Sequence, residues 1–139
     1  EKSLFTEALY REPLVLVTPD SPSVAADFML RTEPFIAYDP TSWGGLIIQR
    51  YLDQKNLKPN VISVLDSPEV IANLVGEGLG VSIMPDWGGL NTRTRKLRLT
   101  LLPDLAEQRV ISSIFRHDSS RIKKIKLFNT ILKNLTDSR

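Results

Sequence analysis

The sequence DSPEVIANLVGEGLGVSIMP, residues 66–85, decides the fold. Ser67 is a capping residue, Pro68 suits the first helical position, and Glu69 lies in the first turn, where its charge complements the helix dipole. Apolar residues at helical spacing come after these signals. The first half of the stretch therefore predicts a helix that begins at Pro68.

The second half of the stretch predicts the end of this helix and a strand after it. Gly76 and Gly78 are expected to supply a left-handed helix stop. The apolar run 81–84 then predicts a strand, and Pro85 ends it because proline cannot donate a ladder hydrogen bond. A helix that passes through a glycine turn into a short apolar strand favours an α/β fold.

Strands and helices alternate along the rest of the chain. Ser23 is expected to cap a short first helix, and Ser119 or Ser120 is expected to cap the last one. The run 14–17 is continuously apolar and predicts a strand buried on both faces, whereas 96–102 alternates basic and apolar residues and predicts a half-exposed strand at a sheet edge. Further strands are predicted at 35–38, 60–65 and 109–116, and a further helix from about Gly44 to Lys55.

Composition limits the function classes. The chain has 139 residues, enough for a real core, and no cysteine, so disulfides and cysteine-ligated metals are excluded. A single histidine, His117, argues against a histidine-rich metal site and, unless His117 itself supplies the base, against a Ser-His-Asp triad. No apolar stretch approaches a membrane span, and a net charge of +2 is too small to suggest DNA binding by this chain alone. We therefore expect no enzyme activity, no metal site, no cofactor and no membrane partner.

Three segments, in this order, resemble the effector domain of LysR-type transcriptional regulators. They are 12–19, 34–38 followed by Ser42 and Gly44, and 66–85, of which the last is the most specific. The resemblance implies a type 2 periplasmic-binding-protein-like α/β fold, in which two α/β subdomains enclose a ligand cleft.

The same resemblance implies a division of the chain. Residues 21–103 would form the second subdomain, and residues 1–20 together with 104–139 would belong to the first. The opening strands and helices of the first subdomain have no counterpart in this sequence, so we expect that subdomain to be incomplete. The N-terminus, which has neither an initiator methionine nor a signal-peptide pattern, agrees with a fragment of a longer protein.

The loop from Tyr38 to Gly45 is the main candidate for ligand binding. It joins the end of a predicted strand to the start of a predicted helix, a place where α/β proteins bind ligands and where helix N–H groups attract anions. Thr41 and Ser42 offer hydroxyls, and Trp43, Gly44 and Gly45 offer backbone N–H groups. A small anion is the expected ligand, and a plain Ser or Thr helix cap is the alternative.

Three residues outside this loop complete the predicted site. Thr18 ends a strand where, by the resemblance, the chain crosses between subdomains, although a solvent-facing strand end is an equal alternative. Met84 and Pro85 close another strand and are candidates for an apolar wall, with ordinary core packing and a strand stop as the alternative.

The resemblance also implies a function. The chain would be the effector-sensing domain of a cytoplasmic transcription regulator that forms a homodimer or homotetramer. It would bind a small, anionic organic effector, and DNA would be bound through a winged helix-turn-helix domain that lies outside this chain. The alternative is the solute-binding protein of a transporter with the same bilobal fold, and an enzyme on a related scaffold is a third, weaker one.

Overall fold

The computed structural model describes residues 4–21, 23–90, 92–117 and 120–137. These residues form a mixed α/β structure, as the sequence predicts. The elements are β1 Leu4–Pro19, α1 Ala26–Thr32, β2 Pro34–Tyr38, α2 Trp43–Gln54, β3 Asn60–Leu65, α3 Pro68–Gly76, β4 Ser82–Pro85, α4 Thr92–Arg95, β5 Leu97–Leu101, β6 Gln108–Arg116 and α5 Ile122–Asp137.

The chain divides into two compact units. The first contains the residues up to Glu12 and those from Arg109 onward, and the second runs from Pro13 to Gln108. The subdomain boundaries implied by the resemblance, at residues 20 and 104, stay a prediction.

A sheet runs through the second unit. The part of β1 that lies there pairs antiparallel with β4 and with β5, with Leu14 opposite Pro85 and Val15 opposite Leu101. β2 pairs parallel with β3, and Phe35 forms a parallel bridge with Val81, next to the start of β4. The spatial order is therefore β3, β2, β4, β1, β5. This order puts β5 at a sheet edge, which confirms the prediction for its alternating sequence.

Helices cover both faces of this sheet. Residues 14–17 of β1 are at most 2% exposed, which confirms the prediction of burial on both faces. Because side chains alternate along a strand, Leu14 and Leu16 pack with α1 and α2, whereas Val15 and Val17 pack with α3. Each face thus carries its own apolar cluster.

The signals around α3 are mostly confirmed. Pro68 is its first residue, and the Ser67 hydroxyl accepts a hydrogen bond from the Val70 N–H at 3.4 Å. Gly78 has a φ of +81°, so it supplies the left-handed stop. Gly76 does not, and its prediction was wrong. It is instead needed for close approach, because a Cβ there would lie 2.3 Å from the carbonyl oxygen of Arg95.

Two predictions are wrong, the cap of the first helix and the start of the first strand. α1 begins at Ala26 after Ala25, without a side-chain cap, so Ser23 lies too far upstream to cap the first turn. β1 begins at Leu4, ten residues before the predicted strand. At the other end of the chain, Ser119 lies outside the described residues, and Ser120 is separated from the start of α5 by one residue.

The first unit consists of the N-terminal part of β1, paired with β6, and α5. Glu7 on β1 accepts hydrogen bonds from Asn129 Nδ2 at 2.7 Å and from Lys133 Nζ at 2.6 Å, both on α5. These bonds and the neighbouring lysine lower the pKa of Glu7. Among the described residues, no helix is long and apolar enough to cross a membrane.

Candidate functional site

The Tyr38–Gly45 loop and Pro85 lie at the same edge of the sheet, where edge means the end formed by the carboxyl ends of β2 and β4 and not an outer strand. β2 and β4 run in the same direction, so the bridge from Phe35 to Val81 places their carboxyl ends, Tyr38 and Pro85, side by side. α2 begins above them. A Cβ on Gly44 would lie 3.1 Å from Cε1 of Tyr38 and 3.8 Å from Cδ2 of Leu14, the strand partner of Pro85.

Asp39 organises the loop. Its Oδ1 accepts a hydrogen bond from the Thr41 N–H at 2.9 Å and one from the Thr41 hydroxyl at 2.7 Å. The hydrogen bond from the Thr41 side chain, followed by the one from its backbone, lowers the pKa of Asp39. The Thr41 hydroxyl is therefore already occupied as a donor, and the loop contains an ionised carboxylate.

Ser42 is the N-cap of α2. Its hydroxyl accepts a hydrogen bond from the Gly45 N–H at 3.0 Å and donates one to the Asp39 carbonyl at 2.7 Å. The structure thus gives Ser42 the capping role that was the alternative to ligand binding. One lone pair of the hydroxyl remains for a further donor, so the two roles do not exclude each other.

The first turn of α2 supplies the donors of the loop. The N–H groups of Trp43 and Gly44 belong to the first helical positions, which have no carbonyl four residues upstream within the helix. Gly45 must be glycine, because a Cβ there would lie 1.9 Å from the Asp39 carbonyl oxygen. Trp43, the first residue of α2, is 50% exposed.

The structure does not bring the other predicted residues to this edge. Thr18 pairs with Arg98, four residues further along β1 than Leu14, or about 13 Å away along the strand. The reason is that β1 runs antiparallel to β4, so the two strands end at opposite edges of the sheet. Met84 is 0% exposed and packs in the cluster under α3, whereas Pro85, also buried, lies at the edge itself.

Sequence reasoning missed Asp86. This residue directly follows β4, and its N–H donates a hydrogen bond to the Pro13 carbonyl at 2.8 Å, which fixes it at the same edge as the loop. Its side chain is half-buried, and burial raises the pKa of its carboxyl group. An acidic residue placed immediately after a strand that ends in proline was the available signal.

A separate groove lies elsewhere in the second unit, with a volume of about 670 Å³. Arg95 in its wall is fixed by hydrogen bonds from Nε to Asn73 Oδ1 at 2.8 Å and from Nη1 to the Gly89 carbonyl at 3.2 Å. No predicted site residue lines this groove. Its lining residues are Asn73, Gly76, Glu77, Gly89, Thr94, Arg95 and Lys96.

The described part of the chain contains no group of three or more His, Cys, Asp or Glu side chains that could hold a metal ion.

Comparison with known proteins identifies a family and a relative that this chain resembles. A family model of the LysR substrate binding domain matches residues 1–136. The Hca operon transcriptional activator HcaR of Escherichia coli K12 is 34% identical over 86 residues, which cover 57% of this chain and 29% of that protein. The chain thus spans less than a third of the length of this relative.

Solved structures show the same fold. The effector-binding domain of QuiR in complex with shikimate matches with a TM-score of 0.68 and 20% identity, over 91% of this chain and 63% of that one. The regulatory domain of CcmR from Synechocystis PCC6803 in complex with 2-PG matches with a TM-score of 0.70 and 20% identity, over 98% and 68%. These likenesses confirm the periplasmic-binding-protein-like α/β fold.

Proposed function

The chain belongs to the LysR substrate-binding domain family, and on that premise we propose that it is the effector-sensing module of a bacterial transcription regulator. In this proposal the first turn of α2 holds the carboxylate or other anionic group of a small organic effector. The module itself carries out no catalysis.

One observation carries the proposal: the Ser42-capped start of α2 lies at the sheet edge where β2 and β4 end. A helix N-terminus at the carboxyl ends of strands presents N–H groups and a partial positive charge to an anion. The solved structures of QuiR and CcmR contain shikimate and 2-PG. The match to a transcriptional activator favours the regulator over a solute-binding protein of a transporter.

Signalling requires that the effector bind two conformations of the regulator with different affinities. An effector can change the regulator only if it binds one conformation of the protein more tightly than another. We propose that a winged helix-turn-helix domain in the part of the regulator outside this chain binds DNA and receives this bias. We also propose a homodimer or homotetramer in the cytoplasm as the working form.

The test is the replacement of Ser42 by alanine. Loss of the hydroxyl removes the acceptor of the Gly45 N–H, so the N–H groups that would hold the anion are less well fixed. We therefore expect shikimate, used as a probe carboxylate, to bind about tenfold more weakly. Calorimetry measures the affinity, and amide chemical shifts of residues 41–45 locate the site. Trp43 fluorescence provides a third readout.

Two matched variants control this experiment. Ser67→Ala removes an equivalent cap from α3, which covers the opposite face of the sheet, and is expected to leave the affinity unchanged. Thr18→Val examines the opposite sheet edge and is expected to have no effect either. If Thr18→Val weakens binding and Ser42→Ala does not, the proposed location is wrong. If shikimate and small mono- and dicarboxylates leave the amides of residues 41–45 unshifted, the sensing proposal fails at this loop.

A further inference from the structure

The helix α5 turns a polar side toward β1 and leaves apolar side chains in solvent. Its fully buried residue is Asn129, which together with Lys133 donates hydrogen bonds to Glu7. Its large apolar side chains that are between 50% and 61% exposed are Leu127, Phe128, Ile131 and Leu135. An amphipathic helix of a globular protein ordinarily does the reverse and packs its apolar side inward. An exposed apolar helix face of this kind indicates an association surface.

The exposed apolar residues form one continuous stripe along α5. Phe128, Ile131 and Leu135 are spaced by three and four residues, so they lie on one face of the helix, and Leu127 borders this face. Lys124 extends the stripe by one turn toward the N-terminus. This spacing is the one along which two helices pack with interdigitating side chains. The apolar stripe therefore has the pattern of one half of a helix pair.

The charges of α5 are complementary to those of a second copy of the same helix. Its N-terminal half contains Lys123, Lys124 and Lys126. Its single acid, Asp137, is its last residue, where the C-terminal carbonyl groups add a partial negative charge. Two antiparallel copies bring the basic end of each helix beside the acidic end of the other, whereas two parallel copies place like charges together. The charges thus favour an antiparallel pair.

We propose that the apolar stripe of α5 is a self-association surface, through which two copies of this chain pair with their α5 helices antiparallel around a twofold axis. When Phe128 contacts Ile131 of the second copy, Lys124 lies opposite Leu135 of that copy. The stem of Lys124 then covers this leucine, and its ammonium group approaches the carboxylate of Asp137. The inference goes beyond effector binding and assigns a surface to the proposed homodimer.

Sedimentation equilibrium of the whole 139-residue chain tests the surface. One helix pair is smaller than a standard interface of about 1,600 Å², so we expect a weak dimer, to be measured from about 10 μM to 1 mM protein. Phe128→Lys and Ile131→Lys each place like charges at the centre of the pair and should weaken the dimer at least about tenfold. Both side chains are exposed, so the fold should persist, and the amide spectrum of each variant verifies it.

Ile114→Lys is the matched control. Ile114 belongs to the same unit and is 66% exposed, but it lies on β6 and not on the apolar stripe. The same substitution there should leave the dissociation constant of the dimer unchanged.

Disulfide formation tests the orientation of the two helices, because the chain contains no cysteine of its own. We expect a mixture of Lys124→Cys and Leu135→Cys to form the mixed disulfide at least about tenfold faster than either variant forms a disulfide with itself, since only the antiparallel pair places these two positions together. A parallel pair would join each variant to itself.

The outcomes separate this surface from other occupants of the stripe and from the ligand site. A wild-type chain that stays monomeric over the whole range refutes self-association and leaves the stripe to another part of the regulator. A dimer that both Phe128→Lys and Ile131→Lys leave intact, or that Ile114→Lys weakens equally, refutes the α5 surface. Preferential self-crosslinking of Lys124→Cys refutes the antiparallel pair. None of these results depends on a ligand, so the sensing proposal is tested separately.

Discussion

Arg109→Met is expected to lower the free energy of unfolding of the first unit by about 3–5 kcal/mol. In the wild type, Nε of Arg109 donates to Oε2 of Glu12 at 2.5 Å, and Nη2 contacts the same oxygen. The Glu12 side chain is 6% exposed, and that of Arg109 is 29% exposed. Removing the arginine leaves a buried carboxylate without its partner.

The converse change, Glu12→Met, is expected to cost less, about 1–2 kcal/mol. The guanidinium that remains is the more exposed partner, so water can hydrate it. The double variant with methionine at both positions should lie within about 1 kcal/mol of the wild type, because replacing a buried ion pair with apolar side chains is often close to neutral. The exposure of the charge left behind, rather than the strength of the pair, sets this order.

The assay must report on the unit that contains the ion pair. Trp43 and Trp87 both lie in the second unit, so tryptophan fluorescence follows the wrong part of the chain. Amide hydrogen exchange of residues 110–116 on β6 measures the opening free energy of the first unit directly. If Glu12→Met costs as much as Arg109→Met or more, burial of the remaining charge does not control the energetics, and the reasoning is wrong.

Further predictions concern the loop and the helix stop. Gly45→Ala should prevent the loop from closing on Asp39, because its Cβ would lie 1.9 Å from the Asp39 carbonyl oxygen. The Cβ of Gly78→Ala meets no atom within 4 Å, so this variant should lower the free energy of unfolding by only about 1–2 kcal/mol, the strain of the left-handed region. Urea unfolding followed by fluorescence measures both, and an equal cost would contradict this account. Asp39→Asn tests the pH dependence. The folded-state pKa of Asp39 lies below its unfolded value of about 3.9, so its stabilisation is present above that value and is lost as the pH falls through the folded pKa. The urea midpoints of wild type and Asp39→Asn should therefore differ near neutral pH and converge as the pH falls below the unfolded value, and a constant difference would show that ionised Asp39 does not support the loop.

The sequence correctly predicted those features that depend only on residues close together along the chain. The start of α3 follows from Ser67 and Pro68, whose effects reach only one helical turn. The buried strand at 14–17 follows from an unbroken apolar run. Ser23 misled because a serine caps only the helix that begins right after it, and α1 begins three residues later. The start of β1 at Leu4 was missed because Pro13 interrupts the pattern, although the strand continues through it.

The candidate site needed information that no local pattern contains. Thr18 and Pro85 both end strands, and the sequence does not say that those strands run in opposite directions. Strand direction alone sends Thr18 to the far edge and leaves Pro85 beside the Ser42 loop. Asp86 was missed for the same reason: an aspartate after a strand is ordinary, and only the strand pairing places it at the same edge as the loop.

Ser42 shows why a cap and a ligand site are hard to tell apart. The atoms are the same in both cases, since a hydroxyl and the first N–H groups of a helix serve to end the helix and to attract an anion. The surroundings distinguish the two roles. The helix that Ser67 caps begins with Pro68, which has no N–H, and with the acidic Glu69, whereas the first turn of α2 contains no acidic residue. If ligand binding depends on these surroundings rather than on the cap alone, then Ser42→Ala must weaken the binding of every carboxylate, whereas Ser67→Ala must leave that binding unchanged.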